Sequence, residues 1–232
     1  MKKGILFDKD GTLLSFQQTW APIINEVANT VHNNYNIKED SNTLLKEIGV
    51  NGQTIDGRGI FATKTMKEIA EVWQPYVKTI STTQLHDELS HIFYKSVEEC
   101  KNDIKLIDGA EEVLRDLHSK GYILGVATAD RKDVTVLMLE TLGIKDLFSY
   151  VGADDGITLP KPNPYMLNEF CAQNNLEPAN VFMVGDTLSD MQFGKNAGAK
   201  TIAILDSLTA DDFKPYTNLI INTVAYVQDV LD

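Results

Sequence analysis

With 232 residues and 43% hydrophobic content, the chain can form one large domain or two small ones around a sizeable core. Its formal charge of −12 argues against nucleic acid and anionic membrane surfaces as partners. It does not argue against phosphorylated ligands, because one lysine and a metal ion reverse the sign inside a single pocket. No stretch approaches the ~20 apolar residues of a membrane span, and the apolar run behind Met1-Lys2-Lys3 stops at Phe7, too short for a signal peptide. Cys100 and Cys171 lie far apart and out of metal-ligand spacing, as expected of free thiols in a reducing compartment. The expectation is a soluble cytoplasmic protein, monomer or homodimer.

In chain order, residues 4–7 form a short continuous apolar run ending at Asp8. Residues 15–101 then lack a convincing buried strand and carry four amphipathic helical patterns. Trp20, Ile23, Ile24, Val27, Ala28 and Val31 share one wide face, with Pro22 in that helix's first turn. Leu44, Leu45 and Ile48 mark a second helix, capped by Asp40 or Ser41. Met66, Ile69, Ala70 and Trp73 mark a third, ended before Pro75. Leu85, Leu89, Ile92, Phe93 and Ser96 mark a fourth. The glycine-dense stretch 49–59 reads either as a flexible helix–helix loop or as a substrate-facing loop with Arg58 reaching an anion.

Strand and helix then alternate. Val113, Leu114 and Leu117 share a helical face within 110–120, and an apolar run follows at 122–127. Val134, Leu137, Met138 and Thr141 share a face within 131–142, and further apolar runs lie at 181–184, 201–204 and 219–221. Continuous apolar runs suit parallel strands buried on both faces. The pattern predicts an α/β fold: a Rossmann-like parallel-sheet core from 1–14 and 102–232, with an inserted α-helical bundle at 15–101. There is no internal repeat and no low-complexity segment.

Four short pieces carry the chemistry: residues 8–12 (DKDGT), Thr128, Lys161-Pro162, and residues 185–190 (GDTLSD). Asp8, Thr128 and Asp186 each follow a strand-like run, which places them at the carboxyl edge of a parallel sheet, where ligands bind. Asp8 is the candidate nucleophile, because a carboxylate can attack phosphorus and split one displacement into two. Asp10 is the candidate general acid and base, with Gly11 permitting the tight turn beside it. Asp186 and Asp190 are hard oxygen ligands suited to Mg²⁺; Asp190 reads alternatively as a helix cap. Thr128 and the Ala129 backbone N–H form a candidate phosphate grip at a strand-to-helix junction, and Asp130 is read as the following helix's N-cap. Lys161 is the candidate cation, on a segment stiffened by Pro162 and Pro164. Asp154 and Asp155 read as turn acids or as groups that orient Lys161. His32, His86, His91 and His118 show no ligand spacing.

In type and order these motifs resemble the haloacid dehalogenase superfamily, over essentially the whole chain. The helical insert resembles the cap of the subgroup that includes phosphoglycolate phosphatase and β-phosphoglucomutase. The resemblance implies a Mg²⁺-dependent phosphatase of a small phosphorylated metabolite, phosphoglycolate foremost, working through an aspartyl-phosphate. The metal would be held by Asp8, the Asp10 backbone carbonyl and Asp186, with Asp190 ligating directly or through water. Gly11, Thr12, Ala129 and Arg58 would face the substrate. Asp10 favours phosphate esters, since the dehalogenases lack this second acid. The alternatives are a sugar phosphomutase and a non-catalytic phosphate-ligand binding member. Trp20 and Pro22 stand in the region where the mutases carry a histidine, which weakens the first alternative. Lys9 between the two acids is unusual, and is expected to put positive charge at the site's mouth.

Overall fold

The computed structural model describes residues 2–231, which divide into two compact units, residues 2–15 with 105–231 and residues 16–104. β1 (Gly4–Phe7) opens the first unit and is buried along its whole length.

The second unit begins with α1 (Phe16–Asn34), which buries Trp20, Ile23, Ile24, Val27, Ala28 and Val31 on one face. This helix starts earlier than the sequence suggests, so Pro22 lies inside it rather than in its first turn. Proline lacks the N–H that would bond back to residue 18, and the helix continues past it. α2 (Ser41–Glu47) is capped by Asp40, whose side chain accepts from the Asn42 N–H. The glycine-dense stretch contains a short hairpin within residues 50–55. β2 (Val50–Asn51) and β3 (Thr54–Ile55) pair antiparallel, with Val50 and Ile55 buried. Gly52 takes φ +60° in the connection, a conformation open to glycine. Gln17 fixes the hairpin to α1 by bonding both the Ile55 N–H and its carbonyl, each at 2.7 Å.

α3 (Ile60–Thr63), α4 (Met66–Trp73) and α5 (Thr82–Cys100) complete the unit. Reciprocal capping boxes, Thr65 with Glu68 and Ser81 with Gln84, fix the starts of α4 and α5. Trp20 stacks on Phe93 with ring centroids 5.4 Å apart, joining α1 to α5.

The first unit resumes with α6 (Ala110–Ser119), β4 (Ile123–Arg131), α7 (Lys132–Thr141), β5 (Phe148–Asp154), α8 (Tyr165–Asn174), β6 (Val181–Gly185), α9 (Leu188–Ala197), β7 (Lys200–Ile204), α10 (Ala210–Phe213) and β8 (Ile220–Ile221). The strands form one parallel sheet in the order β5-β4-β1-β6-β7-β8. β5 is the strand the sequence pattern hides. It lies at the sheet edge and alternates buried Phe148 and Tyr150 with exposed Ser149, so it shows no continuous apolar run. The buried face of α7 is Val134, Thr135, Met138 and Leu139, rotated from the expected one; Thr141 is exposed.

Alternation along β1 sends Ile5 and Phe7 to one face and Leu6 to the other. Ile5 and Phe7 pack with Val113, Leu114 and Leu117 of α6, and Leu6 packs with Leu167 and Phe170 of α8 and Phe193 of α9. The sheet is thus covered on both sides, which is why its central strands read as unbroken apolar runs. Cys100 and Cys171 are free. Among the described residues, no helix is long and apolar enough to cross a membrane.

Candidate active site

Register places the chemistry. Phe7 pairs with Val126 of β4 on one side and with Val184 of β6 on the other. The next residues along each strand therefore emerge together: Asp8 from β1, Thr128 from β4, and Asp186 after β6. The Asp8 N–H continues the ladder by donating to the Val184 carbonyl at 2.8 Å. β1 is an interior strand: the chain runs outward from it through β4 to β5 on one side, then returns to its other side and runs outward through β6, β7 and β8. This is the switch point at which parallel α/β sheets bind ligands.

Asp8, Asp186 and Asp190 are all buried, and each offers an oxygen within 4.8 Å of the other two. Asp190 reaches the group from α9 and has two tasks. Its Oδ2 accepts from the Thr187 N–H and hydroxyl in a capping box, while its Oδ1 accepts from Lys161 Nζ at 2.6 Å. The cap and ligand readings of Asp190 are therefore compatible, with Thr187 as the N-cap itself. Lys161 Nζ also donates to Asp8 Oδ1 at 2.5 Å. Thr12, fully buried, donates its hydroxyl to Asp186 Oδ1 at 3.2 Å.

Gly11 holds φ +84°, and a side chain there would collide with the Asp186 carboxylate. Gly11→Ala is expected to cost about 1–3 kcal/mol of stability and to displace Asp186; an unchanged thermal midpoint would contradict this.

Burial pushes the Asp8 carboxyl up to about 7; Lys161 opposes the shift, and Asp190 and Asp10 add to it. Asp186 lies well above the usual carboxylate range, through burial and then the charges of Asp8 and Asp190. Burial works against the charge on Lys161, but Asp190 and Asp8 outweigh it and hold the ammonium more firmly protonated than usual. Three buried acids against one ammonium cannot all ionise without further positive charge. An all-oxygen acidic donor set of this kind fits a hard divalent cation such as Mg²⁺.

The Asp10 carboxylate is not part of that cluster; its Oδ2 pairs with Lys9 Nζ at 2.7 Å. Lys9 is fully buried, which corrects the expectation of a charge at the site's mouth. The same ammonium lies 3.2 Å from Asp130 Oδ2. Asp130 is not the cap of α7. β4 runs on through an irregular register to Arg131, which takes the cap position without a side-chain bond. Thr128 is buried, and its hydroxyl accepts from the Asp130 N–H at 3.2 Å; Ala129 is exposed.

Asp155 accepts from the Ile157 and Thr158 N–H groups and lies near Lys132, so its recorded bonds hold its own turn and not Lys161. Arg58 lies in the second unit, where its backbone N–H donates to Asp56 Oδ1. The Lys9–Asp130 pair and the Thr12–Asp186 bond are the features the sequence reading missed. Both join residues distant in the chain, and no local pattern signals them.

The fold and the acid–lysine edge define a class: the chain belongs to the haloacid dehalogenase-like hydrolases, whose family model matches residues 5–204. Within that family it groups with the phosphatases. It is 25% identical over 209 residues to the pyrophosphatase PpaX of Halalkalibacterium halodurans, covering 90% of this chain and 86% of that one. It is 25% identical over 203 residues to a phosphoglycolate phosphatase of Vibrio cholerae, covering 87% and 84%. Against the N-acetylmuramic acid 6-phosphate phosphatase of Pseudomonas putida it is 31% identical over 106 residues, 46% of this chain and about half (48%) of that protein. The crystal structure of a phosphatase from Thermococcus onnurineus superposes with a TM-score of 0.74 at 20% identity, covering 99% of this chain and 97% of that one, a likeness of fold.

Proposed function

We propose that the protein is a Mg²⁺-dependent phosphatase of a small phosphorylated metabolite, acting through an aspartyl-phosphate on Asp8. The observation that carries this reading is the buried Asp8 at the sheet edge, paired with Lys161 and clustered with Asp186 and Asp190. An Asp8 oxygen attacks phosphorus as the ester oxygen departs. Asp10 gives that oxygen a proton and then takes one from the water that hydrolyses the phosphoaspartate. Lys161 balances charge on Asp8 and the transferring oxygens. Thr128 and the Ala129 N–H hold those oxygens, and Gly11 and Thr12 shape the near wall.

Asp8, Asp186 and the Asp10 carbonyl would hold Mg²⁺, with Asp190 binding directly or through water. When bound, the ion screens repulsion between Asp8 and the phosphoryl group and stabilises the charge of the transition state. Metal binding is read without activity as a rise in thermal midpoint. At a free Mg²⁺ concentration about 100 times its Kd the added stability is ~2.7 kcal/mol. Asp186→Asn should remove most of that rise, and an equal rise in the variant would count against the site.

Among substrates, phosphoglycolate is the first candidate, supported by the Vibrio cholerae relative and by the cap-like helical insert. Arg58 is the proposed specificity residue. Arg58→Ala should raise KM for carboxylated esters and spare an aryl phosphate; an equal response of both would remove Arg58 from the reading. The experiment on function is phosphate release from phosphoglycolate, pyrophosphate, N-acetylmuramic acid 6-phosphate and sugar phosphates, with Mg²⁺ and with chelator. Metal-dependent release from one or more esters supports the reading. No release from any of them by folded protein overturns it.

A further inference from the structure

We infer that Lys9 and Asp130 are positioning residues for Asp10: a buried ion pair that ties the acid–base turn to the phosphate-gripping strand end. This rests on the reading of Asp10 as general acid and base.

A lysine with no exposed side-chain surface is rare unless its charge is paired. Lys9 meets two carboxylates, Asp10 Oδ2 at 2.7 Å and Asp130 Oδ2 at 3.2 Å, and its ammonium lies 3.6 Å from Met138 Sδ on α7. Asp10 and Asp130 are each only 17% exposed.

The backbone anchors the same turn. The Lys9 carbonyl accepts from the Leu13 and Leu14 N–H groups, each at 2.9 Å, and the Gly11 N–H donates to the Leu14 carbonyl at 2.7 Å. Lys9 therefore fixes the loop that carries Asp10 with its main chain and fixes the Asp10 carboxylate with its side chain. Asp130 comes from a different strand end, two residues beyond Thr128, and its own N–H donates to the Thr128 hydroxyl. Asp130 offsets the charge of Lys9, so Asp10 is held by a pair that is neutral overall. The geometry links the turn that carries Asp10 to the strand end that carries Thr128.

In the first half-reaction a bond forms between an Asp8 oxygen and phosphorus, and the bond from phosphorus to the ester oxygen breaks. The proton of Asp10 passes to that ester oxygen. An alkyl ester needs this proton, and an aryl ester with a stable leaving phenolate does not. The ratio of the two kcat/KM values therefore reports how well Asp10 is placed for the first half-reaction.

The test compares wild type, Lys9→Met, Asp130→Asn, the double variant and Asp10→Asn on an alkyl phosphate and on p-nitrophenyl phosphate, with thermal midpoints for all. Lys9→Met is expected to lose about 10- to 100-fold more kcat/KM on the alkyl ester than on the aryl ester, a fraction of the full general-acid contribution. Asp130→Asn should show the same bias more weakly, and serves if Lys9→Met does not fold. The double variant removes both charges of the Lys9–Asp130 pair and leaves only Asp10 without its ammonium, so it should regain part of the thermal midpoint lost in Lys9→Met yet keep the ester bias. Equal losses on both esters, or a bias that vanishes in the double variant along with the instability, would make the pair merely structural and overturn the inference. If Asp10→Asn shows the bias and Lys9→Met does not, the inference alone fails. If Asp10→Asn shows none, the acid–base reading fails and the inference with it.

Discussion

Replacing Asp8 with Asn is expected to reduce turnover of every phosphate ester by a factor on the order of 10⁴ or more, with the fold intact. The amide keeps the size of the carboxylate, so the ladder bond from the residue 8 N–H to Val184 and the burial of the strand end are undisturbed. What is lost is the nucleophile. Asn is a poor attacker of phosphorus, and no other group named here stands in the same place. The comparison requires that the variant melt near wild type in the absence of metal. A variant that is folded and retains more than a few per cent of turnover would mean that water attacks directly and that Asp8 only helps to hold the metal.

The second large effect is expected from Lys161→Met. Lys161 bonds Asp8 and Asp190 together, with only 8% of its side chain exposed. Removing one partner of a buried ion pair leaves the other charge without compensation, at a cost of about 3–5 kcal/mol. Here two carboxylates lose their ammonium, beside a third acid, Asp186. The loss of stability should be largest without divalent cation and smaller with Mg²⁺, because a metal relieves part of the same repulsion. Turnover should also fall roughly 10²- to 10³-fold, the range seen when one charge-stabilising donor is removed. Chemical denaturation of both proteins with and without Mg²⁺ checks the argument; a metal-free variant as stable as wild type would contradict it.

The core of the fold is legible in the sequence because the central strands are covered on both faces. Residues 4–7, 122–127, 181–184 and 201–204 therefore read as unbroken apolar runs. β5 is hidden for the converse reason: at the edge, with Ser149 exposed, it alternates. The four main helices of the second unit announce themselves through wide apolar faces. The hairpin at 50–55 does not, because two-residue strands leave no period to detect and Gln17, which fixes it, is remote in sequence.

At the site, the joint placement of Asp8, Thr128 and Asp186 follows from one rule about strand ends, which needs no contact information. Lys9 is the opposite case. From sequence, a lysine flanked by two aspartates in a short turn reads as solvent-exposed. Its burial depends on Asp130, brought alongside by the neighbouring strand, and on Met138 from the next helix. Asp130 reads as a cap for the same reason: the local pattern fits, and only the irregular end of β4 shows that Arg131 takes the cap position instead.

The most direct test of the central claim is to quench the enzyme in acid during turnover of its best ester and to weigh the peptide that contains Asp8. The account predicts one added phosphoryl group on that peptide, absent from Asp8→Asn and absent when chelator is present from the start. Full turnover by wild type with no phosphoryl group on any peptide, at a quench time that captures steady state, would contradict an aspartyl-phosphate on Asp8.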